Sequence, residues 1–144
     1  MNDLFCSPGQ SEGCLSILLI GRVLITAFLA VLFLQSGIDK VVDRKGNMEW
    51  LTGHFANSPF KNVVGLLLTQ ITIQEIGAGV LCVIGAAMLI FTGSTVVGLL
   101  GVMLSSVTIL FLFIGQRLAK DYSGAAVLVN YFVLTLIGLY LFSV

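Results

Sequence analysis

Four long apolar segments, separated by short polar stretches, dominate the pattern of hydrophobic and polar positions along the chain. They run from about 15 to 36, 62 to 91, 94 to 114 and 124 to 142. A helix of about 20 apolar residues crosses the ~30 Å hydrocarbon layer of a bilayer, and each segment reaches that length. The pattern predicts an all-α integral membrane protein, a bundle of four transmembrane helices in a single domain, residues 1–144.

The polar stretches predict how these helices connect. Only Thr92, Gly93 and Ser94 separate the second segment from the third, so these helices should form a tight antiparallel hairpin. The longest connection, 37–61, carries apolar side chains at helical spacing in 48–55, opposite a polar side. That arrangement is typical of a short amphipathic helix lying in the membrane interface, with Trp50 at headgroup level. Residues 37–40 fit a helix exit, with Lys40 extending to the interface as a topology anchor.

Composition and charge narrow the function classes. The chain is 58% hydrophobic and 10% charged, with a mean hydropathy of +1.08, a balance that predicts a lipid bilayer as its surroundings. The formal net charge is +0, so no basic excess points to nucleic acid as a partner. The sequence contains no catalytic or metal-binding motif, so we predict no catalytic residue, no metal and no covalently bound cofactor. Whether the chain is an enzyme stays open, with no activity of its own expected.

The distribution of basic residues predicts an orientation in the membrane. Outside the four segments, they occupy only two connections: Lys40, Arg44, Lys45, Lys61, Arg117 and Lys120. The positive-inside rule makes both connections cytoplasmic and both termini extracytoplasmic. Cys6 and Cys14 would then lie in a compartment that permits a disulfide. Two unpaired thiols on a poorly ordered terminus are the alternative.

Glu75 stands out because it interrupts the second apolar segment. An ionised side chain at the centre of a bilayer costs at least ~2.5–3.5 kcal/mol, so Glu75 should be protonated, paired, or facing a polar cavity. Arg22, inside the first segment, is expected at a similar depth. One interpretation is a buried Arg22–Glu75 ion pair that fixes the register of two helices. The other is a site for a polar headgroup such as a quinone carbonyl, or for an anionic substrate.

Other polar side chains in the segments are candidates for the same site. Gln70 and Gln74 lie one turn apart beside Glu75, and Asn130 and Tyr131 on the fourth segment could face them. Such groups often hold membrane helices together by hydrogen bonds. In an apolar pocket they would suit a headgroup, with quinone or lipid as the ligand. The candidate buried polar or quinone-headgroup site comprises Arg22, Gln70, Gln74, Glu75, Asn130 and Tyr131.

Taken in order, several short motifs resemble the DoxX-like family of small four-helix membrane proteins. They are Arg22, Phe33 to Lys40, Glu75 to Gly79, Gln116 to Tyr122 and Tyr131-Phe132, and the resemblance covers about 20 to 141. The resemblance implies a four-helix bundle in the bacterial inner membrane. The family pattern singles out Arg22, Gly37, Lys40, Glu75, Gly77 and Gly79.

The resemblance and the residues together leave two hypotheses for function. The preferred one is an accessory or assembly subunit of a larger membrane redox or respiratory complex, because the extramembrane mass is small. Small residues such as Ala78, Cys82, Gly98 and Gly101 also recur on helix faces. The alternative is a quinone-interacting membrane subunit of an oxidoreductase of the thiosulfate:quinone type, as some members of this family are.

Overall fold

A computed structural model of the chain describes residues 11–144, and their side chains from Ile17 onward. The described residues form five α-helices: α1 Ser11–Val42, α2 Arg44–His54, α3 Val64–Phe91, α4 Val96–Leu118 and α5 Tyr122–Ser143. Four of them, α1 and α3 to α5, are long and apolar enough to cross a membrane, and α2 is the short helix between the first two. The predicted four-helix membrane bundle is confirmed, whereas the candidate disulfide of Cys6 and Cys14 lies outside the described side chains.

The four long helices alternate in direction around the bundle. α1 packs against α3 and α5, and α4 completes the ring by packing against the same two helices. One end of the bundle therefore gathers α2, the C-termini of α1 and α4, and the N-termini of α3 and α5. We call it the α2 end. The other end holds the α3–α4 turn at Gly93, whose φ of 69° suits glycine, and we call it the hairpin end.

The observed helix bounds depart from the predicted ones mainly at the α2 end. The predicted helix exit at 37–40 is wrong, because α1 continues to Val42. Gly37 lies inside the helix as a packing residue, where an added Cβ would come within 2.8 Å of the Ile76 side chain on α3. α5 begins at Tyr122 because the Asp121 side chain accepts a hydrogen bond from the Gly124 amide and caps the helix.

Small residues bring α3 and α4 into close contact towards the hairpin end. A Cβ on Gly85 would collide with the backbone of Gly98, and one on Gly101 would lie 2.9 Å from the Cys82 Sγ. Ser105 Oγ lies 3.8 Å from the same sulfur. Backbones that approach this closely maximise van der Waals contact, which helices in lipid use in place of a hydrophobic driving force. Towards the α2 end, larger side chains separate the same two helices.

α2 lies across the α2 end, in contact with α1 and α3, and none of its own residues is buried. Its start is capped by Asp43, whose side chain accepts from the Gly46 amide. Phe55, the first residue after the helix, is 7% exposed and packs edge-on against His54 and Phe60. The Phe55 ring also reaches α4, where a Cβ on Gly115 would lie 3.6 Å from it, so the end of α2 is held against α4 and the helix covers the ends of α3 and α4.

Candidate functional site

A buried ion pair joins α1 to α3 near the α2 end. Lys40 Nζ lies 2.9 Å from Glu75 Oε2 and 3.1 Å from Oε1, and Glu75 is only 1% exposed. Ser36 donates to Oε1 at 3.0 Å and accepts from Lys40 at 2.8 Å. The contact to Oε2 lacks hydrogen-bond geometry, so charge alone holds that oxygen. Lys40 thus neutralises a carboxylate that could not be buried alone.

Two glycines allow this pairing. A Cβ on Gly37 would lie 3.2 Å from the Ile76 backbone nitrogen, and one on Gly79 would lie 3.0 Å from that of Leu34. Both positions therefore let α1 and α3 approach backbone to backbone in the turn that follows Glu75 on α3. Lys40 also lies in the last turn of α1, where the partial negative charge of the helix terminus favours a cation.

Arg22 has a different partner at the other end of the bundle. Its Nε donates to the carbonyl of Leu141 at 2.8 Å, and its guanidinium lies 5.8 Å from the centroid of the Phe142 ring. Leu141 is in the last turn of α5, where carbonyls lack an intrahelical partner and attract a cation. The predicted ion pair between Arg22 and Glu75 is wrong.

Beside the Lys40–Glu75 pair, α2, α3 and α4 enclose a cavity of about 430 Å³, which we call the α2 cavity. Phe55, Val64 and Leu68, all buried, belong to its mainly apolar wall. Trp50 also lines it. Its other polar lining side chains are Lys40, Asn47, His54, Gln70, Gln74 and Gln116. Volume and lining match the usual character of small-molecule sites, apolar with a few polar groups.

Among the polar residues of this lining, Gln74 has a side-chain oxygen that is buried without a hydrogen bond. Its Oε1 is enclosed and has no hydrogen-bond partner among the described residues. An orphaned buried acceptor costs about 1–3 kcal/mol. The amide is part of the cavity wall, one residue before Glu75 on α3. A ligand hydroxyl that donated a hydrogen bond to Oε1, once the amide had rotated towards the cavity, would recover that energy.

A second polar group fastens α2 to the α4–α5 connection. His54 Nε2 lies 2.8 Å from Gln116 Oε1 and 3.8 Å from Asp121 Oδ2, and the Trp50 ring stacks on the imidazole at 4.5 Å. The pKa of Asp121 is lowered, chiefly because the Gly124 amide donates a hydrogen bond to its carboxylate. Asp121 is therefore charged at neutral pH, beside the histidine that borders the cavity.

The structure brings some of the predicted site residues together and separates others. Gln70 and Gln74 line the α2 cavity, and Glu75 is held beside it by Lys40. Asn130 and Tyr131 do not line it: Asn130 is exposed on α5, and the Tyr131 ring lies 6.5 Å from that of Phe28. Sequence reasoning missed the part that Lys40, Trp50, His54 and Gln116 play in the site. The spacing of Trp50 and His54, one turn apart, was the signal available.

Comparison with known proteins adds no relative from which a role could be transferred. The chain matches no known family, no characterised protein and no solved structure. The resemblance to the DoxX-like family accordingly stays a prediction. What the structure establishes is a multi-pass membrane protein, with four helices able to span a bilayer.

Proposed function

We propose that this protein binds the polar head of a lipophilic small molecule of the quinone class in the α2 cavity. The observation that carries the proposal is the cavity itself: about 430 Å³, mostly apolar, with the unpartnered Gln74 amide in its wall. Apolar side chains would pack on the ring. The Gln74 Nε2 would donate to a carbonyl of the quinone, and its Oε1 would accept from a hydroxyl of the reduced form. Lys40 and His54 add polar groups to the same lining.

The Lys40–Glu75 pair supports the same proposal. A buried ion pair is often no more stable than apolar residues of the same volume, so it contributes little to folding by itself. Here Lys40 of the pair lines the cavity, where a charged group next to an apolar site polarises a bound carbonyl. In this proposal the chain is the quinone-interacting membrane subunit of an oxidoreductase, and a separate soluble protein brings the electrons.

We also propose that the α2 end faces the cytoplasm. Support comes from the basic side chains, because Lys40, Arg44, Lys45, Lys61, Arg117 and Lys120 all lie at that end. The positive-inside rule then sets the orientation. Labelling of an introduced cysteine with a membrane-impermeant reagent tests it: in a variant with Cys6, Cys14 and Cys82 replaced by serine, Lys45→Cys should react only in inverted vesicles, and reaction in intact cells would refute the orientation. A bacterial inner membrane stays a prediction from the resemblance.

The accessory-subunit hypothesis also stays a prediction. Large apolar side chains are exposed on all four long helices, such as Ile17, Leu66, Val96 and Ile137. Contact with lipid accounts for all of them, so no single helix face stands out for docking a larger complex. The cavity, by contrast, is a specific feature that lipid contact leaves unexplained.

The proposal is tested by identifying what the protein carries from its native membrane. The protein is extracted in mild detergent, and co-purifying chains and small molecules are identified by mass spectrometry. We expect a quinone to accompany the wild type and to be lost from Ile71→Trp, which fills the cavity. The matched control is Ile73→Trp on the outer face of α3, where Ile73 is 66% exposed. Equal quinone in both variants would refute the site.

A further inference from the structure

The α2 cavity opens towards the lipid rather than only towards water. Three of its lining residues are well exposed: Phe111 at 54%, Ile114 at 43% and Trp50 at 58%. Gln70, also exposed, borders the same opening from α3. The buried lining residues Phe55, Val64 and Leu68 lie on the inner side. The opening therefore lies between α3 and α4, below α2.

The outer face of α4 indicates whether the opening adjoins water or lipid. Its exposed apolar residues, at helical spacing, are Met103, Val107, Leu110, Ile114 and Leu118. Such a stripe on a spanning helix faces hydrocarbon. Ile114 belongs both to this stripe and to the cavity wall, and its neighbour Phe111 lines the cavity as well. A molecule dissolved in the bilayer therefore meets the opening directly.

Gln70 is an anomaly on the corresponding face of α3. Its exposed neighbours on that helix, Leu66 and Ile73, are apolar, and Gln70 makes no side-chain hydrogen bond within the described part of the chain. It follows Val64 by six residues, or ~9 Å along the axis, which places an amide inside the membrane-spanning helix. The preceding residue, Thr69, accepts a hydrogen bond from the exposed Arg44 guanidinium, so polar groups adjoin Gln70 on this face. Gln74, one turn further along α3, continues the polar row into the cavity.

We propose that the ligand enters and leaves the α2 cavity sideways from the bilayer, between α3 and α4, with its polar head passing from Gln70 to Gln74. This inference rests on the proposed function and specifies its ligand class: a compact polar head on an apolar tail that stays in the lipid beside Phe111 and Ile114. A fully water-soluble anion does not fit this route, since the approach is lined by apolar side chains.

The chain's single tryptophan, Trp50, lines the cavity and provides the measurement. Decylbenzoquinone is mixed with the protein in phosphatidylcholine nanodiscs, and quenching of Trp50 fluorescence is followed in time. Ile114→Phe narrows the opening. The association rate should fall about tenfold, because a barrier on the route slows entry, whereas a change in contacts with the bound ligand would alter mainly the dissociation rate. The control, Val107→Phe on the same stripe but outside the cavity, should match the wild type.

The outcomes separate the route from the site. Saturable quenching with unchanged rates in Ile114→Phe, verified as folded by its melting temperature, would overturn the lateral route and leave the site standing. The absence of saturable quenching in the wild type would overturn both. A decyl tail carrying a photoreactive diazirine gives a second measurement: we expect labelling at Phe111 and Ile114, and labelling confined to α2 and residues 56–62 would overturn the route.

Discussion

Helix α1 carries one cation towards each end of the bundle, and the two cations have different kinds of partner. At the hairpin end, Arg22 donates to the Leu141 carbonyl, a group that the end of α5 leaves without a partner. At the α2 end, Lys40 pairs with Glu75, which is buried in the middle of a helix face. Arg22 thus completes a helix terminus that any bundle must satisfy. Lys40 serves a carboxylate that the fold alone does not require.

The packing of α3 against α4 also differs between the two ends of the bundle. Gly85 and Gly98 close the two helices together towards the hairpin end, whereas Leu68 and Phe111 line an open cavity towards the α2 end. Close backbone contact leaves no space for a ligand. The comparison indicates that close packing of α3 on α4 is concentrated at the hairpin end and that the α2 end provides the space for the proposed binding site. Substitutions at the hairpin end should therefore affect stability alone, whereas substitutions of residues that line the α2 cavity should change binding.

The largest effect is expected at the Lys40–Glu75 pair. Lys40→Met should destabilise the protein by about 3 kcal/mol, because it strands the Glu75 charge. The double variant Lys40→Met/Glu75→Leu should recover most of that loss, since it removes both charges. Thermal unfolding in detergent measures both variants and the single Glu75→Leu variant. A double variant as unstable as the sum of the two singles would show that the pair is not coupled.

The next effect concerns the close contact between α3 and α4 at Gly85 and Gly98. Gly85→Ala should cost about 2 kcal/mol, because its Cβ would collide with the Gly98 backbone and α3 and α4 would have to separate. Gly77→Ala is the control on the same helix, since its Cβ would make only an ordinary 3.5 Å contact with Leu104. The difference in melting temperature between these variants is the measurement. Equal stabilities of the two variants would mean that the close approach of α3 and α4 at Gly85 does not stabilise the bundle.

A smaller effect is expected at Arg22. Arg22→Met keeps most of the side-chain volume and removes the charged donor to Leu141, which should cost about 1.5 kcal/mol. Quinone affinity should stay unchanged, because Arg22 does not line the α2 cavity. Thermal unfolding and Trp50 quenching on the same sample test both statements. A large loss of affinity would contradict the division between the two ends.

The smallest effect is a gain. Lys120 has a φ of 62°, in the left-handed region, in the turn that ends α4, where the Asp121 amide donates to the Gln116 carbonyl at 2.9 Å. Glycine adopts this conformation without steric cost. Lys120→Gly should therefore stabilise the protein by about 1 kcal/mol. The melting temperature of Lys120→Gly should rise. The control, Lys61→Gly, lies outside this turn and should not raise it.

The bundle was predictable because length and apolarity are summed over whole segments, and α2 was predictable from its amphipathic spacing and Trp50. The partner of Glu75 was not. Glu75 is level with its partner Lys40, and Arg22 precedes Lys40 by eighteen residues of the same helix, or ~27 Å, so Arg22 and Glu75 are far apart along the bundle. Gly37 concealed the correct partner, since the sequence alone does not distinguish a glycine that ends a helix from one that packs against a neighbouring helix.

The cavity was also beyond the sequence, because it depends on residues far apart in the chain. His54 meets Gln116 across a separation of 62 residues, and the periodicity of either helix carries no trace of that contact. Gln70 and Gln74 were recognisable as polar residues in an apolar helix. Their common cavity became visible only once α2 and α4 were in place.

The most direct test of the binding site is an equilibrium titration of Trp50 fluorescence with decylbenzoquinone, comparing the wild type with Gln74→Leu. We predict that Gln74→Leu raises Kd about fivefold, because the hydrogen bond from Nε2 to the quinone is lost. The melting temperature should not fall, because the substitution also removes the buried, unpaired Oε1. Gln35→Leu, an exposed amide of α1 outside the cavity, should leave Kd unchanged. An unchanged Kd in Gln74→Leu would contradict binding of the quinone by Gln74. A weaker affinity accompanied by a lower melting temperature would contradict it too.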